Sequence, residues 1–256
     1  MKKLTSIAVL LCVAVLSSCG TKTVQDITGP FPTARIKFFN FGVNAPGVNF
    51  YANTTKVTAI GSTTGIENVL GTTYGNPGAG GFYSAIAPGQ YALAGTIAAA
   101  TDKDLAIAKL NATIVDGKSY SFYLSGFYDP AAKAVDGFIV EDPFAAAIDY
   151  SVASVRFVHA ISNANPLTLY AKSTVTGTEV AVGSTVPYKT AGAFTALPNG
   201  VYDLSARYAG SATNAISRLG VSFIAGRVYT IGALGDITVV SSTAANRPRL
   251  DNTANR

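Results

Sequence analysis

Few side chains in this chain could carry covalent or acid–base chemistry. Its 256 residues include two cysteines, Cys12 and Cys19, and one histidine, His159. A lone histidine holds a metal only if carboxylates join it, and none crowd it in sequence. As a base for a serine nucleophile it would want a G-x-S-x-G elbow, which is missing. Asp136, Glu141 and Asp142 form an acidic cluster of the kind that could suggest paired carboxylates for glycoside hydrolysis. Asp142-Pro143 reads better as the end of a strand and the start of a linker, and Asp129-Pro130 as a turn. A D-x-D-x-[DN]-G calcium loop does not occur. Arg35 and Arg156 read as equivalent strand positions, each packing its stem and tying a strand to a carboxylate or carbonyl. There are 13 tyrosines and no tryptophan. Aromatic faces stack on sugars, which makes Tyr74 and Tyr188 the candidate ligand contacts, while most tyrosines stand at alternating strand positions and read as core. These residues supply no catalytic set, metal site or cofactor site, and the expectation is a protein that is not an enzyme.

The one thiol with a distinctive neighbourhood is Cys19. Lys2 and Lys3 precede an apolar run from Ile7 to Leu16, followed by Ser17-Ser18-Cys19-Gly20. The run is about the length of a signal-peptide core and short of the roughly 20 residues that a spanning helix needs. The order resembles the signal peptide and lipobox of a bacterial lipoprotein, with residues 1–18 as signal. That resemblance implies diacylglycerol on the Cys19 sulfur, cleavage before Cys19, and acylation of the new amine. Two or more acyl chains anchor stably, at about 0.8 kcal/mol per buried CH₂. Gly20 is not the aspartate of the inner-membrane retention signal of enteric bacteria, and no acidic run follows to suggest surface export. The expected location is the cell envelope, at the outer membrane, on its periplasmic or surface face.

With the signal gone and Cys19 acylated, the folded part has no thiol and must be held by packing alone. Hydrophobic residues make up 48% of the chain, enough for real cores, and charged residues only 13%. The formal charge of +5 is mild, and Lys and Arg form no cluster, so nucleic acid is not an expected partner.

Residues 19–33, with Pro30 and Pro32, read as a flexible tether. Strand candidates follow at Ala34–Phe41, Val48–Ala52, Gln90–Ala94, Ser119–Leu124 and Phe138–Val140, bounded by turn pairs such as Pro46-Gly47 and Asp116-Gly117. The second half repeats this order. Arg35-Ile36-Lys37-Phe38 aligns with Arg156-Phe157-Val158-His159 and Tyr74 with Tyr188. Pro88-Gly89-Gln90-Tyr91 aligns with Pro198-Asn199-Gly200-Val201-Tyr202, and Gly117-Lys118-Ser119-Tyr120 with Gly226-Arg227-Val228-Tyr229. Much of the first copy's extra length lies around Gly75–Gly81, read as a mobile surface loop. Each copy carries about seven short strands. The expected fold is all-β, two tandem immunoglobulin-like or prealbumin-like β-sandwiches at residues 34–148 and 149–240, with a disordered polar tail at 241–256.

The repeated residues resemble a family, DUF4397. Arg156-Phe157-Val158-His159-Ala160, Asn165-Pro166 and Leu169-Tyr170 are similar to its opening R-x-x-H-A…A-P-x-V-x-V-Y. Leu197–Tyr202 is similar to its L-x-x-G-x-Y element and Ala225–Ile231 to its G-x-x-Y-T element. In the first copy, Phe39-Asn40 stands where His-Ala would be. The resemblance implies tandem domains in envelope lipoproteins, without an activity. The function expected is a non-catalytic structural or protein-interaction module, held to the membrane through Cys19 and meeting an envelope protein. Glycan binding is the alternative, and an envelope hydrolase the third reading.

Overall fold

The structure, a computed structural model, describes residues 32–58 and 69–255. The signal segment, Cys19 and most of the tether lie outside the described residues. The first repeat contains β1 (Arg35–Asn40), β2 (Val48–Ala52), β3 (Thr55–Lys56), β4 (Asn76–Pro77), β5 (Ser84–Ala85), β6 (Gly89–Ile97), β7 (Ala106–Ile114), β8 (Ser119–Asp129) and β9 (Ala134–Glu141). The second contains β10 (Val152–His159), β11 (Leu167–Ser173), β12 (Glu179–Val186), β13 (Thr190–Ala191), β14 (Thr195–Pro198), β15 (Gly200–Tyr208), β16 (Ile216–Phe223), β17 (Val228–Leu234) and β18 (Arg249–Ala254). The architecture is all-β, as expected, with four sheets in two sandwich-like halves.

In each half, one sheet carries the first strand paired in parallel with the penultimate one. The orders are β4-β1-β8-β9, with β5 also on β1, and β13-β10-β17-β18, with β14 also on β10. The facing sheets are β3-β2-β6-β7 and β12-β11-β15-β16. Period-two alternation sends Ile36 and Phe38, with Tyr120, Phe122 and Leu124, into the first core. Val155 and Phe157, with Tyr229, Ile231 and Ala233, enter the second.

Turn chemistry fixes the register alike in both halves. Gly117 and Gly226, at φ 73° and 75°, occupy the third position of turns closed by Lys118 N–H to Val115 O and Arg227 N–H to Ile224 O. The tyrosine three residues later caps the same turn. Tyr120 Oη accepts the Val115 N–H and Tyr229 Oη the Ile224 N–H, both at 3.2 Å. Tyr91 and Tyr202 each donate to the carbonyl four residues back, Ala87 and Pro198, at 2.9 Å.

Two expectations are corrected. The Gly75–Gly81 stretch is seated rather than loose. Asn76 and Pro77 pair with β1, and Gly78 is buried in the 3₁₀ turn Gly78–Gly81 against Phe38 and Phe50. The tail read as disordered over 241–256 contains β18, which pairs along its whole length with β17. Its composition hides it, because only Leu250 is fully buried and the rest is held by polar contacts. The first sandwich therefore ends with β9 and the second runs through β18, with residues 142–151 between them. Deleting residues 249–256 is expected to strip an edge strand and lower the thermal midpoint of the second sandwich by several degrees in circular dichroism; an unchanged midpoint would show the segment to be dispensable.

Candidate functional site

The charged residues of interest converge on a seam between the two sandwiches. The outward faces of the β1 and β10 sheets meet there through Phe39, Phe41, Tyr123, Phe138, Val158, Ala160 and Leu234. Tyr123 stacks between Phe39, at a centroid distance of 4.5 Å, and Phe138, at 5.0 Å. Opposite them, Gly232 has no room for a side chain, since a Cβ there would stand 2.8 Å from Phe41. Along the seam both faces of β1, β8, β10 and β17 are thus covered, and Lys37, Ser121, Arg156 and Thr230 on the outward face are sealed from water.

Arg156 is 1% exposed and Asp142 is 2% exposed. The Arg156 guanidinium pairs with the Asp142 carboxylate, donates to Glu141 O at 2.9 Å and to Thr230 Oγ1 at 3.1 Å, and lies over the Phe194 ring. Asp142 also accepts from Ser121 Oγ at 2.8 Å and Tyr83 Oη at 2.6 Å. A buried ion pair is tolerable when its remaining lone pairs and protons are satisfied in this way. Burial foremost, then the Asp142 charge, pushes the Tyr83 hydroxyl far above its ordinary pKa.

Beside this pair, and joined to it through Tyr83 and Thr230, the pattern repeats with different chemistry. Strand register makes Lys37, opposite Ser121, the counterpart of Arg156, opposite Thr230. Lys37 Nζ donates to Ala254 O at 3.3 Å and Asn255 Oδ1 at 3.1 Å, and lies 4.3 Å from the Tyr83 ring centroid. Register also makes Ala254 and Asn255 the counterparts of Glu141 and Asp142. Each sandwich therefore gives its partner the same contacts that it receives. Burial lowers the Lys37 amine to about 8.

The sequence alignment of Arg35 with Arg156 is overturned. Arg35 lies opposite Ser119, two residues away from the true counterpart, and is exposed. Matching cation to like cation misplaced the register, because a lysine fills the arginine's position. The shift also moves the histidine's counterpart to Asn40. His159 Nδ1 accepts the Ile161 N–H and Nε2 donates to Asn165 O, both at 3.2 Å. Asn40 Oδ1 accepts the Gly42 N–H at 3.3 Å and Nδ2 donates to Pro46 O at 3.1 Å. The offsets of two and six residues are identical. His159 is a neutral strut, and burial lowers its pKa.

Tyr74 and Tyr188, the candidate ligand contacts, are also counterparts in the seam. Tyr188 Oη bonds Ser125 Oγ at 2.9 Å and Asp136 Oδ2 at 3.3 Å, and burial raises it to about 12. Neighbouring Lys189 pairs with Asp136 at 2.9 Å. Register places Leu234 and Arg249 as the counterparts of Ser125 and Asp136. The Tyr74 ring receives the Arg249 guanidinium at 4.9 Å, and its buried hydroxyl has no hydrogen-bond partner among the described residues. A separate apolar groove of about 360 Å³ lies between residues 143–149 and the second sandwich, walled by Phe144, Ile148, Val152, Phe194 and Val228. Sequence reasoning missed this groove and also Lys37, Tyr83 and Asn255; a lysine inside the apolar run Ile36–Phe39 was the available signal. Among the described residues, no three His, Cys, Asp or Glu side chains come together as a metal site, and no helix is long and apolar enough to cross a membrane.

The family profile described as "Domain of unknown function (DUF4397)" matches the chain twice, over residues 34–170 and 153–255. No curated protein matches the chain. A similar solved chain is described as a "putative cell adhesion protein" from Bacteroides ovatus. It is 13% identical, the match covers 89% of this chain and 97% of that one, and the TM-score is 0.23.

Asp142→Ala is expected to destabilise by about 3–5 kcal/mol in denaturant unfolding, because it leaves the Arg156 charge buried without a partner. Glu141→Ala, which removes only an exposed ion pair to Lys118, is expected to change little. His159→Leu orphans one N–H and one C=O and is expected to cost about 1–3 kcal/mol, whereas His159→Asn restores both bonds. Because the folded pKa of His159 lies below the unfolded value near 6.5, the unfolded chain takes the proton first as pH falls. Wild-type stability should decline below about pH 6.5, and in His159→Asn that component should vanish; parallel pH profiles would refute the assignment.

Proposed function

The chain belongs to the DUF4397 family, and we propose that it is a non-catalytic cell-envelope lipoprotein that holds a two-sandwich body at the membrane surface for a protein partner. The observation that carries this reading is the use made of its reactive side chains. His159 braces a strand end, Asp142 and Arg156 neutralise each other in the seam, and Asp136 holds Tyr188 and Lys189. Groups engaged in this way give up the open, convergent geometry that a catalytic pocket requires. Tyr74 and Tyr188, which a glycan platform would need on an open face, contribute instead to the joint.

The anchor is Cys19, acylated after removal of residues 1–18, with residues 19–33 as spacer and the outer membrane as the membrane concerned. Wild-type protein is expected to incorporate labelled fatty acid and sediment with membranes, and Cys19→Ala to do neither. Label retained by Cys19→Ala would refute the anchor. On a glycan array the full-length protein in detergent is expected to be silent; saturable binding would replace the protein-partner reading with the glycan one.

A further inference from the structure

The two halves of this buried polar cluster, which meet at Tyr83 and Thr230, differ in a way that symmetry alone does not require. One half pairs a guanidinium with a carboxylate, which neutralise each other. The other buries a primary amine against a primary carboxamide, Lys37 against Asn255, and the amide brings no charge to balance an ammonium. Lys37 is 1% exposed, and among the described residues its amine meets the Ala254 and Asn255 oxygens and the Tyr83 ring. The charged groups facing it are Asp142, Arg156 and Asp251, of which Asp142 is already paired with Arg156.

We propose that Lys37 and Asn255 condense into an intramolecular isopeptide bond that covalently joins the first strand of the first sandwich to the end of the last strand of the second. The neutral Lys37 amine attacks the Asn255 carboxamide carbon, which stands one carbonyl bond, about 1.23 Å, beyond the oxygen it already contacts. A Nζ–Cγ bond forms, the Cγ–Nδ2 bond breaks, and the proton shed by Nζ leaves with Nδ2 as ammonia. No oxidant or co-reactant is needed. Thr230 Oγ1 accepts from Nδ2 at 2.7 Å and holds the leaving nitrogen in place.

Three features favour the reaction. Sheet pairing on both sides holds the amine and the amide together, which replaces a bimolecular encounter by a positioned one. Burial keeps part of the amine neutral under mildly alkaline conditions, with its pKa near 8. The product is a neutral amide, so the reaction removes a buried charge that is paired with no carboxylate among the described residues. The counterpart pair, Arg156 and Asp142, cannot react in this way, because it contains neither a primary amine nor an amide carbon.

The test is tryptic digestion of the full-length chain isolated from membranes, after incubation at mildly alkaline pH, with mass spectrometry of the peptides. The expected product is a branched peptide joining residues 36–56 to residues 250–256, lighter than the two together by one ammonia. Lys37→Arg keeps a cation and its donors, as Arg156 does, and is expected to give only linear peptides while retaining the wild-type circular dichroism. Asn255→Ala serves the same purpose should the arginine variant fail to fold. Exclusively linear peptides from folded wild-type protein, or a branched peptide surviving in either variant, would overturn the proposal.

Discussion

A guanidinium sealed between two β-sheets must have a counter-charge, and Arg156 obtains its own from Asp142, at the junction where one sandwich ends and the linker begins. Much of the molecule's organisation follows from that requirement. The carboxylate is usable only if Ser121 and Tyr83 satisfy its second oxygen, and this fixes the edge of the first sandwich beside β5. The guanidinium is usable only if Glu141 O and Thr230 accept its remaining protons, and this fixes the end of β9 against β17. The linker leaves from the pair itself, so the bond that joins the sandwiches also sets where the second one begins.

Around this pair the two repeats are compared side by side in one molecule. Asparagine replaces histidine at the strand end because both present an acceptor and a donor to backbone groups two and six residues on. Lysine replaces arginine because both bring a cation past a ring, Tyr83 or Phe194. Serine and leucine do not replace each other well. Ser125 bonds the Tyr188 hydroxyl, whereas its register counterpart Leu234 has no polar side-chain atom, and the Tyr74 hydroxyl has no hydrogen-bond partner among the described residues.

The fold was legible in sequence where turns and alternation carry it. Asp116-Gly117, Pro88-Gly89 and the tyrosines that follow them mark strands that the structure contains. The observed strands run longer, as at Ser119–Asp129, because pairing on both sides extends them past the apolar pattern. The seam was hidden for a physical reason. Alternation separates inside from outside only when one face meets water, and β1 from Ile36 onward meets protein on both, so the pattern alone does not show that Lys37 is sealed. Likewise β18 gains its place from backbone pairing with β17 and from polar contacts, which no local hydrophobic period announces. Tyr74 and Tyr188 were matched correctly to each other, but their purpose depends on what faces them across the joint.

The reciprocity of the seam has a consequence for assembly. Contacts in which each partner offers the same patch are isologous, and such an interface closes on itself at two members. The β1 and β10 sheets consume one another's outward faces within a single chain, leaving neither copy of that patch for a neighbour. A head-to-tail joint between the same repeats would have left one patch free at each end and invited filaments. Here the duplicated domain has become its own dimer partner, and any contact with another molecule must use a different surface.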